Sequence, residues 1–359
     1  MKIMFRVDAS IQMGAGHVMR CLVLADHLEK QGHQCIFLSR SHPGHLNDLI
    51  ASKGYRVASA ELDTVYDNSK GQLDWNMHAH WLGVALQSDA QQTRLVLERE
   101  RPDWLVIDHY AIESSWENIV SSHVGKIMVI DDLVDREHYC DVLLDQTFGR
   151  KISEYSGMVP KHCKVFTGVK YSLLRDEFAQ RRAESLLRRD NGRIKNIFVS
   201  MGRMDKDNYT SIVLEKLKNC QFEGDIVVKV VLGANAPWMS DVKSIVANMP
   251  WETILEIDVK SMADLMVEAD LAIGAAGTTS WERCALGLPS ILIVTAENQR
   301  SIAKNLESVG AIKVLDCLDD LPMLIKTAPS WLSEVSHKCK TITDGHGIDN
   351  LLIEMENLW

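Results

Sequence analysis

The sequence predicts an α/β protein built as two successive domains, each a parallel sheet covered by helices. Three observations carry that expectation. The chain has 359 residues, 46% of them hydrophobic, more than a single hydrophobic core usually organises. Short apolar runs alternate with helix-period patterns through the first half, which is the order of βαβ units. After a charged stretch near residue 190 the alternation starts again, which marks a junction and a second domain of similar topology. No repeat with a period of ~20–50 residues is evident, so a solenoid is not expected.

Ile3 to Val7 reads as the first strand. It runs through the glycine-bearing turn Ser10-Ile11-Gln12-Met13-Gly14-Ala15-Gly16 into a helix expected over Val18 to Gln31. Val18, Cys21, Leu22, Ala25 and Leu28 share one face of that helix, and Gly32 stops it. Cys35 to Leu38, Tyr55 to Ala58, Trp104 to Asp108 and Lys126 to Ile130 read as further strands. Helices are expected over His45 to Ser52, Asp89 to Arg99 and Ser114 to Ser122. The polar segment from Ala60 to His80 reads as a surface loop or lid, because loops of that length are usually functional or disordered. Asp108-His109-Tyr110 and Asp131-Asp132 then fall at carboxyl ends of strands, the edge where open parallel sheets bind ligands.

A charged helical stretch, Arg175 to Arg189, and the turn Asp190-Asn191-Gly192 mark the junction. Beyond it, Ile194 to Val199 is a strand ending in Ser200-Met201-Gly202-Arg203-Met204-Asp205. Asp225 to Leu232, Leu271 to Ile273 and Ser290 to Val294 are further strands, and Ser261 to Glu268 is a helix. The densest motif of this half is Gly274-Ala275-Ala276-Gly277-Thr278-Thr279-Ser280-Trp281-Glu282-Arg283, a small-residue turn opening a helix that Gly287 and Pro289 end.

Composition narrows the function. Lys and Arg number 39 against 49 Asp and Glu, a net charge of −10 with no long basic run, which argues against nucleic acid or an anionic membrane as partner. The eight cysteines are scattered without a CxxC pair, as in a reduced cytoplasmic protein. No apolar run approaches ~18 residues, and charge interrupts the N-terminus too early for a signal peptide.

Two motifs carry chemistry. His17 lies in the first turn of a helix, where the positive end of the dipole favours neutral imidazole, the form a general base needs. Locally it reads equally as an exposed cap. The turn from Gly274 to Glu282 reads as a phosphate site built from backbone N–H groups and a helix start, with a plain capped helix as the alternative. Glu282 is either the capping-box partner of Thr279 or an acceptor for a ribose diol. Asn298 and Gln299 are substrate contacts or helix-start residues. Neither turn matches GxGxxG at dinucleotide spacing and no GxxxxGK[ST] occurs, which disfavours nicotinamide cofactors and P-loop hydrolysis. His78 and His80 lack further ligands at useful spacing, so no metal is expected. Tyr110, Trp75, Trp81 and Trp281 are candidates to pack a sugar or base face, with core packing as the alternative for each.

Taken together, Arg6-Val7-Asp8-Ala9-Ser10 with Gly14-Ala15-Gly16-His17-Val18-Met19-Arg20-Cys21-Leu22, Asp108-His109-Tyr110, Ile130-Asp131-Asp132-Leu133, Gly277 to Arg283 and Glu297-Asn298-Gln299 resemble the UDP-2,4-diacetamido-2,4,6-trideoxy-β-L-altropyranose hydrolases of pseudaminic acid biosynthesis. More distantly the chain resembles the peptidoglycan N-acetylglucosaminyltransferases. The resemblance implies a GT-B-like fold, two Rossmann-like domains with parallel sheets facing across a cleft. It implies that His17 is the base activating water, Glu282 the ribose acceptor, Gly277 to Ser280 the pyrophosphate site and Asn298 a substrate contact. One departure stands out. The family's Ser-x-Gly-Gly-x-Asp loop carries Arg203 in place of its second glycine, a guanidinium able to meet a phosphate.

The expected function is therefore a hydrolase that removes UDP from a UDP-linked diacetamido-trideoxy sugar by water attack at the anomeric carbon, with inversion and without cofactor or metal. His17 is the catalytic candidate. Asp8, Gly14, Gly16, Arg20, Tyr110, Ser200, Gly202, Gly277, Thr278, Thr279, Ser280, Glu282, Asn298 and Gln299 are the substrate-binding candidates. Expected domains are 1–174, 175–340 and a helical segment 341–359 packing back on the first. A cytoplasmic monomer that binds a small-molecule UDP-sugar, no nucleic acid and no membrane interior is expected. A GT-B glycosyltransferase, a UDP-sugar 2-epimerase and a non-catalytic UDP-sugar-binding protein are the alternatives.

Overall fold

The computed structural model describes residues 1–60, 76–189 and 192–358. Trp75, most of the loop expected over 60–80 and most of the 190–192 turn lie outside them. The chain forms two compact units, Met1–Leu173 with Glu354–Trp359, and Leu174–Ile353.

In the first unit the strands are β1 (Lys2–Val7), β2 (Gln34–Arg40), β3 (Arg56–Ala60), β4 (Trp104–Asp108), β5 (Lys126–Ile130), β6 (Val142–Asp145) and β7 (Lys164–Thr167). The helices are α1 (Gly16–Lys30), α2 (Asn47–Ser52), α3 (Leu86–Glu100) and α4 (Ser114–Val120). The strands pair in parallel in the order β3-β2-β1-β4-β5-β6-β7. Near-continuous apolar runs such as Ile3-Met4-Phe5 and Leu105-Val106-Ile107 suit strands buried on both faces. Met4, Ile36, Leu38, Leu105, Ile107, Ile127, Val129 and Leu143 pack under Leu97 of α3 and Trp116 of α4. A buried ionic cluster ties these layers together: Asp89 of α3 accepts from Arg6 Nη2 at 2.7 Å, Arg40 Nε at 2.7 Å and Trp116 Nε1 at 2.9 Å.

In the second unit, α5 (Asp176–Arg188) precedes β8 (Asn196–Ser200), α6 (Tyr209–Leu217), β9 (Val227–Leu232), α7 (Met239–Val246), β10 (Glu252–Ile257) and α8 (Met262–Glu268). β11 (Leu271–Ala275), α9 (Thr279–Ala285), β12 (Ser290–Ile293), α10 (Arg300–Ser308) and β13 (Lys313–Val314) follow, then α11 (Leu321–Lys326), α12 (Leu332–Cys339) and α13 (Gly347–Met355). Its parallel sheet runs β10-β9-β8-β11-β12-β13.

The two sheets share a decisive property. Strand order reverses between β1 and β4 in the first and between β8 and β11 in the second, so each has a switch point where the loops diverge and leave a crevice. The register places Val7 beside Asp108 at one switch point and Gly274 beside Ser200 at the other.

Most expected elements are present with ends moved by a few residues; the first helix starts at Gly16, two residues before Val18. The strands β6, β7, β10 and β13 are additions. β6 and β7 have four residues each and a 3-10 turn, Ile152–Tyr155, lies between them. Without an intervening helical period they leave no βαβ signature. No helix among the described residues is long and apolar enough to cross a membrane.

Candidate active site

The first switch point is built from the turn after β1 and the end of β4. Gly14 has φ +77°, a left-handed conformation that admits its amide to Ser10 O at 2.8 Å and bends the chain towards α1. Ser10 Oγ accepts the amides of Gln12 and Met13. The turn delivers His17 as the second residue of α1, 7% exposed, with Nδ1 2.6 Å from Asp108 Oδ1. Burial alone would raise Asp108, but first the Arg20 guanidinium and then His17 hold it well below the usual carboxylate range. An ionised carboxylate can only accept, so Nδ1 carries a proton towards it, and Nε2 has no hydrogen-bond partner among the described residues.

Arg20, one turn along α1, grips the same carboxylate with Nε at 2.6 Å and Nη2 at 2.7 Å. Its Nη1 donates to Asp132 Oδ2 at 2.6 Å. Asp132 also accepts from the Tyr110 hydroxyl at 3.0 Å. The Tyr110 ring meets the His17 imidazole edge-on, 4.5 Å between centroids and 87° between planes. His78 and Trp81, on the segment before α3, complete a group of rings around Tyr110. Burial pushes the His78 imidazole down to about 4.

Three of the expected ligands have partners within this unit. Asp8 is fully buried: Oδ1 accepts the Arg40 amide at 2.7 Å and faces Arg6 Nη1 at 2.8 Å, while His42 and His109 approach Oδ2 at 3.5 and 3.4 Å. Its Oδ1 ties the end of β1 to β2, while Oδ2, buried near the two imidazoles, makes no hydrogen bond among the described residues. Arg20 is 4% exposed and committed to two carboxylates. Tyr110 is 3% exposed with its hydroxyl on Asp132, so it backs the site.

The second switch point is made differently. β11 ends in Gly274-Ala275, and a Cβ on Gly274 would lie 2.5 Å from Arg283 Nη1 and 2.7 Å from Ser200 O, so only glycine fits. Arg283 is buried under the turn, donating from Nη2 to Ala275 O at 2.8 Å and Ser280 Oγ at 3.1 Å. Among the described residues no acceptor meets the amides of Gly277, Thr278 or Thr279, which stand at the start of α9. Ser280 is buried on Arg283, whereas Gly277, Thr278 and Thr279 are half-buried.

The capping box expected between Thr279 and Glu282 is not formed. Thr278 is the N-cap and makes no side-chain cap bond; Glu282 instead takes Arg175 Nη2 on Oε1 at 3.3 Å. Its Oε2 is buried and unpartnered among the described residues. Burial raises the Glu282 carboxyl, opposed by Arg175. Asn298 makes no hydrogen bond among the described residues, while Gln299 folds back and accepts on Oε1 from Thr295 N and Oγ1 at 3.0 and 3.1 Å. Gln299 is thus a loop brace. Ser200 ends β8 and Gly202 lies in the loop after it, at φ +99°. Arg203 in that loop is paired with Asp258, Nη2 to Oδ1 at 2.7 Å, and so is already neutralised.

Sequence reading missed Asp108 and Asp132 as partners of His17 and Arg20. Their placement at strand ends was the only signal, because contacts across a switch point have no sequence period.

Residues 196–326 match the Glycosyltransferase family 28 C-terminal domain. Over 311 residues the chain is 27% identical to the UDP-2,4-diacetamido-2,4,6-trideoxy-beta-L-altropyranose hydrolase of Campylobacter jejuni subsp. jejuni serotype O:2, an alignment covering 86% of this chain and 97% of that one. Among solved structures, Acinetobacter baumannii MurG aligns with a TM-score of 0.67 at 16% identity over 99% of both chains. The spinosyn rhamnosyltransferase SpnG, in complex with spinosyn aglycone, aligns with a TM-score of 0.62 at 14% identity over 98% of this chain and 99% of that one. The resemblance read from the sequence holds, and the fold is GT-B-like, with two Rossmann-like domains.

Proposed function

We propose that the protein hydrolyses a UDP-sugar, releasing UDP and a free N-acylated deoxysugar. The observation that carries this reading is the His17–Asp108 pair, a base with its tautomer fixed at the switch point of a parallel sheet. In the proposed step, His17 Nε2 takes a proton from water as the oxygen bonds to the anomeric carbon. The bond from that carbon to the β-phosphate oxygen breaks, and UDP departs with the electron pair. Attack opposite the leaving group inverts the anomeric centre. Proton removal by a positioned base contributes typically ~10²–10⁴-fold.

The second unit has the groups for the nucleotide. The buried free Oε2 of Glu282 suits a ribose hydroxyl, the amides of Gly277 to Thr279 suit the pyrophosphate, and Asn298 has free polar atoms for the sugar side. The match to the Campylobacter hydrolase supports a 2,4-diacetamido-2,4,6-trideoxy sugar as the substrate and pseudaminic acid biosynthesis as its setting.

The family 28 match and the rhamnosyltransferase neighbour favour a second reading, transfer of the sugar to an acceptor hydroxyl in place of water. Incubation with UDP-sugars in oxygen-18 water separates the two. Label in the free sugar with none in UDP is the expected result. Label in UDP would mean attack at phosphorus and reject the mechanism. UDP release only on addition of an acceptor alcohol would establish transfer.

A further inference from the structure

We infer that Trp81, braced by Tyr110 and flanked by His78, is the wall that receives the apolar face of the sugar and selects a 6-deoxyhexose over its 6-hydroxymethyl counterpart. The inference rests on the UDP-sugar reading above and names residues that decide which sugar is taken.

Trp81 is held where a substrate of His17 must pass. Its segment is anchored at both ends. Asn76 Nδ2 donates to Tyr110 O at 3.3 Å and Asn76 Oδ1 accepts the His78 amide at 2.8 Å, while Ala79, Leu82 and Val84 are buried. Gly83, at φ +71°, lets the chain leave the 3-10 turn Ala79–Leu82 sharply. The indole is thereby fixed 5.8 Å from the Tyr110 ring at 27°, near-stacked. It lies 6.4 Å from the His17 imidazole at 74° and 4.6 Å from His78 at 68°.

Exposure separates the parts. Tyr110 is covered, and its hydroxyl is bound to Asp132, so it acts as backing. Trp81 and His78 are half-buried and keep surface of their own. What singles out this indole is its place: it keeps open surface while standing in one group of rings with His17, Tyr110 and His78.

The chemistry of that surface favours carbon over oxygen. An aromatic face carries the negative part of the ring quadrupole and attracts the weakly positive C–H groups of a sugar or a methyl. A 6-hydroxyl pressed against the same face would lose its water and gain no partner. An apolar pocket rejects an added hydroxyl by about 100-fold at most, which sets the scale of the preference. His78 adds a polar edge: its Nδ1 is buried with no partner among the described residues, and the neutral ring can meet an N-acyl amide.

The test uses two probes that differ only at C6, UDP-N-acetylglucosamine and its 6-deoxy analogue, with UDP as a third ligand. Wild type, Trp81→Ala and Trp81→Phe are compared by calorimetric binding and by UDP release. Expected is a 6-deoxy preference of roughly 10–100-fold in the wild type that collapses in Trp81→Ala, appears in KM more than kcat, leaves UDP affinity unchanged and largely returns in Trp81→Phe. An unchanged preference in Trp81→Ala, or no preference in wild-type binding, overturns the inference. If the wild type binds both sugars but releases UDP from neither, the hydrolase reading stands or falls on the oxygen-18 experiment with the diacetamido-trideoxy sugar. The wall is then judged on the binding preference alone, by the same criteria.

Discussion

At the β1/β4 edge of one sheet stand an imidazole, a guanidinium, two carboxylates and a phenol. At the β8/β11 edge of the other stand glycines, hydroxyls and bare amides over a single covered arginine. Both edges are switch points of parallel sheets, and topology alone would rate them as equal places for a ligand. The first is made of side chains whose charges are settled against one another, an arrangement suited to moving a proton. The second is made largely of backbone and small side chains, an arrangement suited to holding an anion. Topology decides where a site lies; the balance of side chain against backbone decides whether it does chemistry or holding.

The contrast can be broken at its extremes. His17→Ala should lower kcat for UDP release by about 10²–10⁴-fold and leave UDP affinity untouched, measured by steady-state kinetics and calorimetry. A change confined to KM would mean that the first edge also serves only to hold. Asp108→Asn preserves shape while freeing the His17 tautomer. A loss of about 10–10³-fold in kcat is expected, together with a lowered Tm, because the covered Arg20 loses a charged partner, a change that costs about 3–5 kcal/mol in buried pairs.

At the second edge, Glu282→Gln should raise KM and the Kd for UDP by roughly 10-fold with kcat little changed, the signature of lost holding. Gly274→Ala forces a methyl against Arg283 and Ser200 and should cost about 1–3 kcal/mol in denaturant unfolding. Gly277→Ala has open space at its Cβ and should unfold as the wild type does.

The smallest effect is a slope. Asp145, at the end of β6, is pushed up to about 6 by burial and by Asp132, with Arg150 opposing. A carboxyl whose folded value exceeds its unfolded value of about 3.9 favours folding when protonated. Its contribution is complete below about pH 4 and is lost as pH rises through about 6. Urea midpoints between pH 4 and 7 should show that decline in the wild type and a flatter line in Asp145→Asn.

How much of this could be read in the sequence differs between the edges in the same way. The second was legible because it is contiguous: a strand, a small-residue turn and a helix start follow one another from Leu271 to Ala285. What has no local signal there is the partner of Glu282, Arg175, 107 positions away. The first edge gave up His17 and its turn. Asp108 and Asp132 are 91 and 112 positions from their partners His17 and Arg20, and no local pattern announces such pairs. Asp8, Arg20 and Tyr110 stand out by residue type, but their partners Arg40, Asp108 and Asp132 have no local signal. The strands β6 and β7 were hidden because a four-residue run is too short to display a period.

The grip of Asp108 on both His17 and Arg20 has a mechanical meaning. Two residues three apart on α1, fastened to one carboxylate, set the rotation of that helix about its own axis, as a key sets a shaft. Aim and packing thereby become one variable. Leu22, Ala25 and Leu28 are buried farther along the same helix, so a substitution there that shifts α1 should move the imidazole as well as loosen the core. The aim of the proposed base is thus tied to packing along α1, and substitutions remote from His17 should disturb it.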